Sequence, residues 1–250
     1  MREQPQQQPP PVQKLRIRYA KRGRLRFTSH RDFSRAFERA IARARVPMAY
    51  SSGFNPHPRI SYANASPTGA ASEAEYVEIG LAQVLDPAEL RLALDESLPT
   101  GLDIVDVVVS SGGSLADRLE ASVWEITVNG VDHPALASAV TQVLAAEELV
   151  VERMTKKGLR TFDVRSAIVG LEALPFGEST ATGQTCAILR VVLRHGTPSV
   201  RPDDVLAALR EISGISTGDA ALAQRLAQGP LDTRTGTVGD PLELDRDAAG

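Results

Sequence analysis

From Lys14 onward the chain alternates between apolar and basic positions. Leu15, Ile17 and Tyr19 interleave with Arg16 and Arg18, and beyond Lys21-Arg22-Gly23 a second run interleaves Leu25 and Phe27 with Arg24 and Arg26. A period of two puts successive side chains on opposite faces of a strand, so the spacing predicts a hairpin with arginines on one face. Ser29 then stands where a helix needs an N-cap hydroxyl, with Asp32 three positions on, and a helix is expected to about Arg45, ahead of Pro47. Phe33, Phe37, Ala40, Ile41 and Ala44 form its apolar stripe. Arg31, Arg35, Arg39 and Arg43 lie on a different face, drifting by about 40° per step because four residues overshoot one 3.6-residue turn.

Met48 to Tyr50 reads as extended, Ser51 to Pro58 as a proline-fixed loop, and Arg59 to Tyr62 as the strand resumed. Glu75 to Leu81 is a further strand. Asp86-Pro87 supplies an N-cap and a first-turn proline for a helix to about Leu98, and Leu102 to Val109 closes the half as a fourth strand. The order is βαββαβ, which in an antiparallel sheet backed by two helices is the ferredoxin-like arrangement. The order then recurs: a strand at Ser122 to Val128, a helix at Pro134 to Ala146, strands at Leu149 to Met154, Leu159 to Arg165 and Cys186 to Leu193, and a helix from Arg201-Pro202 through Leu209. The expected fold class is α+β, with two tandem ferredoxin-like halves. The predicted domains are a first, basic one over 14–110, a connection over 111–121 and a second domain over 122–220. The Gln/Pro-rich residues 1–13 are expected to be a disordered leader, and the acidic residues 221–250 a disordered tail.

Charge changes this picture more than composition does. The 250 residues carry a net charge of only −3, but its sign is unevenly spread. Between Lys14 and Arg59 a dense run of arginines is opposed only by Asp32 and Glu38, an asymmetry that points to a polyanionic partner. Cys186 is the single cysteine, so the chain can supply neither a disulfide framework nor a three-cysteine cradle for an iron–sulfur cluster. No run approaches the roughly 18 apolar residues of a membrane helix, and Met1 to Pro11 lacks a signal-peptide core. A cytoplasmic location without membrane attachment is expected. No P-loop, GxGxxG, HExxH or nucleophile elbow occurs.

Three segments carry a family resemblance: Leu25-Arg26-Phe27-Thr28-Ser29-His30-Arg31-Asp32, the run from Ala44 to Pro58, and Ser72-Glu73-Ala74-Glu75-Tyr76. They resemble the radical-SAM-linked family of unknown function, whose members are fused to a radical SAM protein or encoded beside one. The resemblance implies that an iron–sulfur cluster and S-adenosylmethionine sit on a partner chain, with no cofactor on this one and catalysis by this chain alone not expected. More loosely, a tandem ferredoxin-like pair with a basic helix is similar in architecture to CRISPR repeat-associated RNA-processing proteins, which favours RNA as a partner.

The candidate nucleic-acid-binding residues are Arg16, Arg18, Arg24, Arg26, Arg31, Arg35, Arg39, Ser52, Phe54, Asn55, His57 and Arg59. Guanidinium groups neutralise phosphates, and Phe54 offers a ring on which an unpaired base can stack. Lys156, Lys157, Arg160, Asp163 and Arg165 form a second possible site, in which Asp163 and Arg165 share a strand face and can pair. Three functions follow: an RNA-binding accessory of a radical SAM enzyme, a metal-independent ribonuclease using His30 and His57 as acid and base, or a module that docks an acidic protein. The ribonuclease requires the two histidines to converge on one phosphate.

Overall fold

A computed structural model describes residues 7–155, 158–175, 185–217 and 222–248. The described residues form a mixed α+β fold with antiparallel strand pairs and five α-helices. They divide into two compact units, one made of Met1–Arg118 with Pro241–Gly250 and the other of Leu119–Asp240. Among them no helix is long and apolar enough to cross a membrane.

In the first unit β1 (Gln13–Lys21) leads through a 3-10 turn (Gly23–Phe27) into α1 (His30–Arg43), then β2 (Ile60–Ala63), β3 (Ala71–Leu81), α2 (Pro87–Ser97) and β4 (Leu102–Val109). The strands lie in the order β4-β1-β3-β2, every pair antiparallel. Leu15, Ile17 and Tyr19 of β1 and Val77, Ile79 and Leu81 of β3 are buried with Phe33, Phe37 and Ile41 of α1 and Leu90 and Leu94 of α2. Tyr19 stacks on Phe33 with ring centroids 4.1 Å apart. The alternation of β1 thus commits one sheet face to the helices and turns Arg16 to the other.

Two expectations for this unit are corrected. Leu25 to Phe27 is not a strand: Gly23 adopts φ +53°, and the amides of Leu25 and Thr28 donate to the carbonyls of Arg22 and Leu25, which curls the segment into a 3-10 turn. The edge of β1 that a hairpin partner would have used is occupied by β4. The leader is also anchored before residue 13, because the Val12 amide donates to the Leu81 carbonyl (2.8 Å) and the Gln8 amide to Ser52 Oγ (2.9 Å).

The second unit runs β5 (Ala121–Asn129), α3 (His133–Ala145), β6 (Val150–Thr155), β7 (Gly158–Asp163), β8 (Ile168–Pro175), β9 (Cys186–Arg194), α4 (Pro202–Ser213) and β10 (Leu222–Gly229), with a short pair β11 (Leu231–Asp232) and β12 (Thr237–Val238). Its main sheet has the order β10-β5-β9-β8. β6 and β7 form a separate two-stranded hairpin, so the strand beside β9 is β8, a segment to which periodicity assigned nothing. The tail expected to be disordered carries β10, β11 and β12. Beyond them α5 (Glu243–Asp247) belongs to the first unit, where Leu242 and Asp245 are fully buried.

Candidate nucleic-acid interface

Ser29 caps α1: its Oγ accepts from the Asp32 amide (3.2 Å) and donates to the Asp32 carboxylate (2.6 Å). At the other end Ala44 is the C-cap and Arg45 turns to φ +52°, letting the Val46 amide reach the Ile41 carbonyl. The helix is held in this register by burial of Phe33, Phe37, Ala40 and Ile41. Its exposed side then presents Arg31, Arg35 and Arg39, which make no ion pair among the described residues. Replacing Ser29 with alanine should cost about 1 kcal/mol of stability, measurable as a lower urea midpoint. An unchanged midpoint would mean that Asp32 alone caps the helix.

The strand arginines behave differently from the helix arginines. Arg16 is fully buried: Nε donates to Glu78 (2.9 Å), Nη1 to both oxygens of Asp245 (2.8 and 3.0 Å), and Nη2 to the carbonyls of Gly112 (2.8 Å) and Gly113 (2.7 Å). All five guanidinium donors are therefore satisfied within the protein, and Arg16 cannot meet a nucleic acid. Asp245 accepts further bonds from Arg118 and from the amide and hydroxyl of Ser111. Burial pushes the Asp245 carboxyl up, but the Ser111 hydrogen bonds and the Arg16 charge outweigh it and hold the group below the ordinary carboxylate range. Arg18 is half-buried and donates through Nε to the Glu73 carbonyl (2.8 Å). Arg22 pairs with Glu73 and Asp103.

Arg24 is exposed and unpaired among the described residues. Arg26 sets its guanidinium 4.5 Å from the centroid of the Phe27 ring, and that ring is 58 % exposed. A large exposed aromatic with a cation on one face is unusual for a core plug and suits stacking of a planar group. Phe27 was missed by the sequence reading, which took it for the apolar face of a strand. The signal that could have found it is Gly23, whose freedom to adopt positive φ ends the strand early.

In the Ser51–Pro58 loop the Ser51 amide donates to the His57 carbonyl (2.8 Å) and the His57 amide to Ser51 Oγ (3.0 Å), which ties its two ends together. Phe54 is 73 % exposed, and Asn55 and His57 are exposed too. Ser52 instead holds the leader through Gln8, and Arg59 donates through Nε to the Tyr50 carbonyl (3.0 Å). His30 has Nδ1 3.4 Å from Ser34 Oγ and packs edge-on against Tyr62 at 4.9 Å. The Tyr62 hydroxyl is pushed up by burial. No hydrogen bond or ring contact joins His30 to His57 among the described residues.

The second possible site is not assembled as expected. Lys156 and Lys157 lie outside the described residues. The Asp163 carboxylate accepts from the amides of Leu149 (2.8 Å), Arg165 (2.9 Å) and Ser166 (3.0 Å), while the Arg165 guanidinium reaches the carbonyls of Ile168 and Leu144. The strand ends at Asp163 and a 3-10 turn takes over at Arg165–Ala167, so strand alternation does not carry from one residue to the other, and no ion pair joins them among the described residues. Burial raises the Asp163 carboxyl, and the hydrogen bonds it accepts outweigh that and lower it, as for a carboxylate that caps a turn. Arg160 is exposed.

A comparison with curated proteins gives no match. A family model does match, from β1 of the first unit to the first residue of α4 in the second, covering strands of both units and the arginine helix but not β10. By that match over residues 14–202, the chain belongs to a family described as an uncharacterized protein conserved in bacteria (DUF2344).

Proposed function

We propose that this protein is an RNA-binding accessory that positions an RNA for modification by a separate radical SAM enzyme. The observation that carries the reading is the row Arg31, Arg35 and Arg39 on α1, exposed and unpaired among the described residues, joined through Thr28 to the Arg26–Phe27 stack. Unneutralised guanidinium groups beside an exposed ring are the two components of single-strand binding: charge follows the phosphates and the ring takes a base. Both units have the strand order expected of βαββαβ halves, and we read them as two ferredoxin-like domains, the second carrying the β6–β7 hairpin as an insertion. The radical SAM partner rests on the family resemblance of the Leu25–Asp32 and Ala44–Pro58 segments. On this reading the iron–sulfur cluster and S-adenosylmethionine belong to the partner.

Binding of a labelled single-stranded RNA, followed by fluorescence anisotropy, tests this. Phe27→Ala and Phe54→Ala should each weaken binding by about 1–3 kcal/mol if a base stacks there, with little change in salt dependence. An RNA duplex, whose bases are already stacked, should bind without sensitivity to either change. Absence of RNA binding by the wild-type protein would sink the proposal and leave an acidic protein as the partner of the arginine face.

A further inference from the structure

The sheet face of the first unit turned away from α1 and α2 carries a second feature, distinct from the arginine helix. Arg16, Glu78 and Ser61 are register partners across β1, β3 and β2. In the next row Lys14 pairs with Gly80, whose amide donates to the Arg59 carbonyl at 2.9 Å. Gly80 has no side chain, so this row has a cation at each end and only backbone between them. A Cβ at Gly80 would sit 2.8 Å from Pro11 Cγ and 3.3 Å from Arg59 Cβ, so the Pro11 ring packs directly over Gly80 and forms one wall of the cleft beside it. A cleft of about 270 Å³ opens here between Lys14, Arg59 and Ser61. A second lobe of about 290 Å³ shares Lys14, Ser61 and Glu78 with it and continues along Ala63, Gly113 and Ser114.

The charges in the cleft can be assigned one by one. Glu78 is met by Lys14 Nζ (3.1 Å) and Arg16 Nε (2.9 Å), and the other Arg16 donors are taken by Asp245, Gly112 and Gly113. Arg59 is held through Nε by the Tyr50 carbonyl, and neither of its Nη atoms has a partner among the described residues. A guanidinium fixed at Nε with both Nη groups available is preorganised to grip two oxygens of one anion. The unmatched charge of the cleft is therefore positive. Each lobe is close to the lower end of ordinary ligand pockets, about 300 Å³, which excludes a large cofactor and leaves room for one small polar ligand along the pair.

We infer that this cleft binds a phosphorylated ligand of mononucleotide size, with its phosphate on the Arg59 Nη groups and its sugar and base along the lobe beyond Ser61. The site lies apart from Arg31, Arg35 and Arg39 and does not depend on RNA binding by them. Calorimetric titration of the full chain with uridine monophosphate, adenosine monophosphate, uridine and inorganic phosphate decides the matter. At least one of the two nucleotides should bind saturably and at least tenfold more tightly than inorganic phosphate, with no binding of uridine. Arg59→Gln, at an exposed position, should weaken that binding at least tenfold, whereas Arg31/Arg35/Arg39→Ala should leave it unchanged. The inference is overturned if neither nucleotide binds saturably, if inorganic phosphate binds as tightly, or if Arg59→Gln binds like the wild type.

Discussion

Replacing Asp245 with alanine is expected to lower the unfolding free energy of the first unit by about 3–5 kcal/mol, the usual cost of removing one partner from a buried ion pair. The side chains of Arg16 and Asp245 are both fully inaccessible, so the arginine left behind would keep its charge without access to water. Glu78 and the two glycine carbonyls would still hold three of its donors, but the two Nη1 bonds would be lost. The double variant Arg16→Met with Asp245→Leu removes both charges and should recover much of the loss, because a buried pair is seldom more stabilising than apolar residues of similar volume. Trp124 lies in the second unit and would report the wrong region. Hydrogen exchange at β1 and β3 amides is the suitable measurement. A change below about 1 kcal/mol in Asp245→Ala would show that α5 is not needed to hold the sheet.

The same pair makes an acid-side prediction. The Asp245 carboxyl is held below its ordinary value of 3.8 in the folded protein, so its contribution is fully present above that value. It is lost as the pH falls through the depressed folded value, where the native state must take up a proton that the unfolded chain already binds. Wild-type β1 and β3 amides should thus lose protection below about pH 4. In the double variant this component of the pH dependence should be absent.

Arg31/Arg35/Arg39→Ala is expected to weaken single-stranded RNA binding and to flatten its salt dependence by about 2 log units of slope, from about 0.7 per lost phosphate contact. Between 50 and 200 mM salt the wild type should then lose roughly 20-fold more affinity than the variant. The fold should survive, because the three side chains are exposed and make no ion pairs among the described residues. Exposed substitutions of this kind usually change stability by no more than about 0.5 kcal/mol each, which circular dichroism can check. Equal affinity and equal slope in the variant would mean that these arginines are solvated or face another protein.

The sequence by itself determined the elements whose faces differ sharply. Phe33, Phe37 and Ile41 recur at helical spacing against an arginine face, so α1 is amphipathic and its exposed cations follow from periodicity. Ser29 and Asp86-Pro87 mark helix starts because the orphan amides there need an acceptor. The βαββαβ element order of the first half was readable for the same reason. What it could not determine was which residues of a strand's polar face reach solvent. Alternation assigns Arg16 and Arg18 to one side of β1, but whether that side is wet depends on what covers it. Only the tertiary structure decided that Asp245, 229 residues away, covers Arg16. An acidic stretch looks equally polar whether it is solvated or makes one buried ion pair, since local composition carries no record of a distant partner. β8 was illegible, and the place of the closing strand β10 could not be read, on the same grounds: Gly170 and Pro175 in one, and Gln224, Arg225 and Gln228 in the other, weaken the periodic signal, and their strand state comes from pairing with β9 and β5.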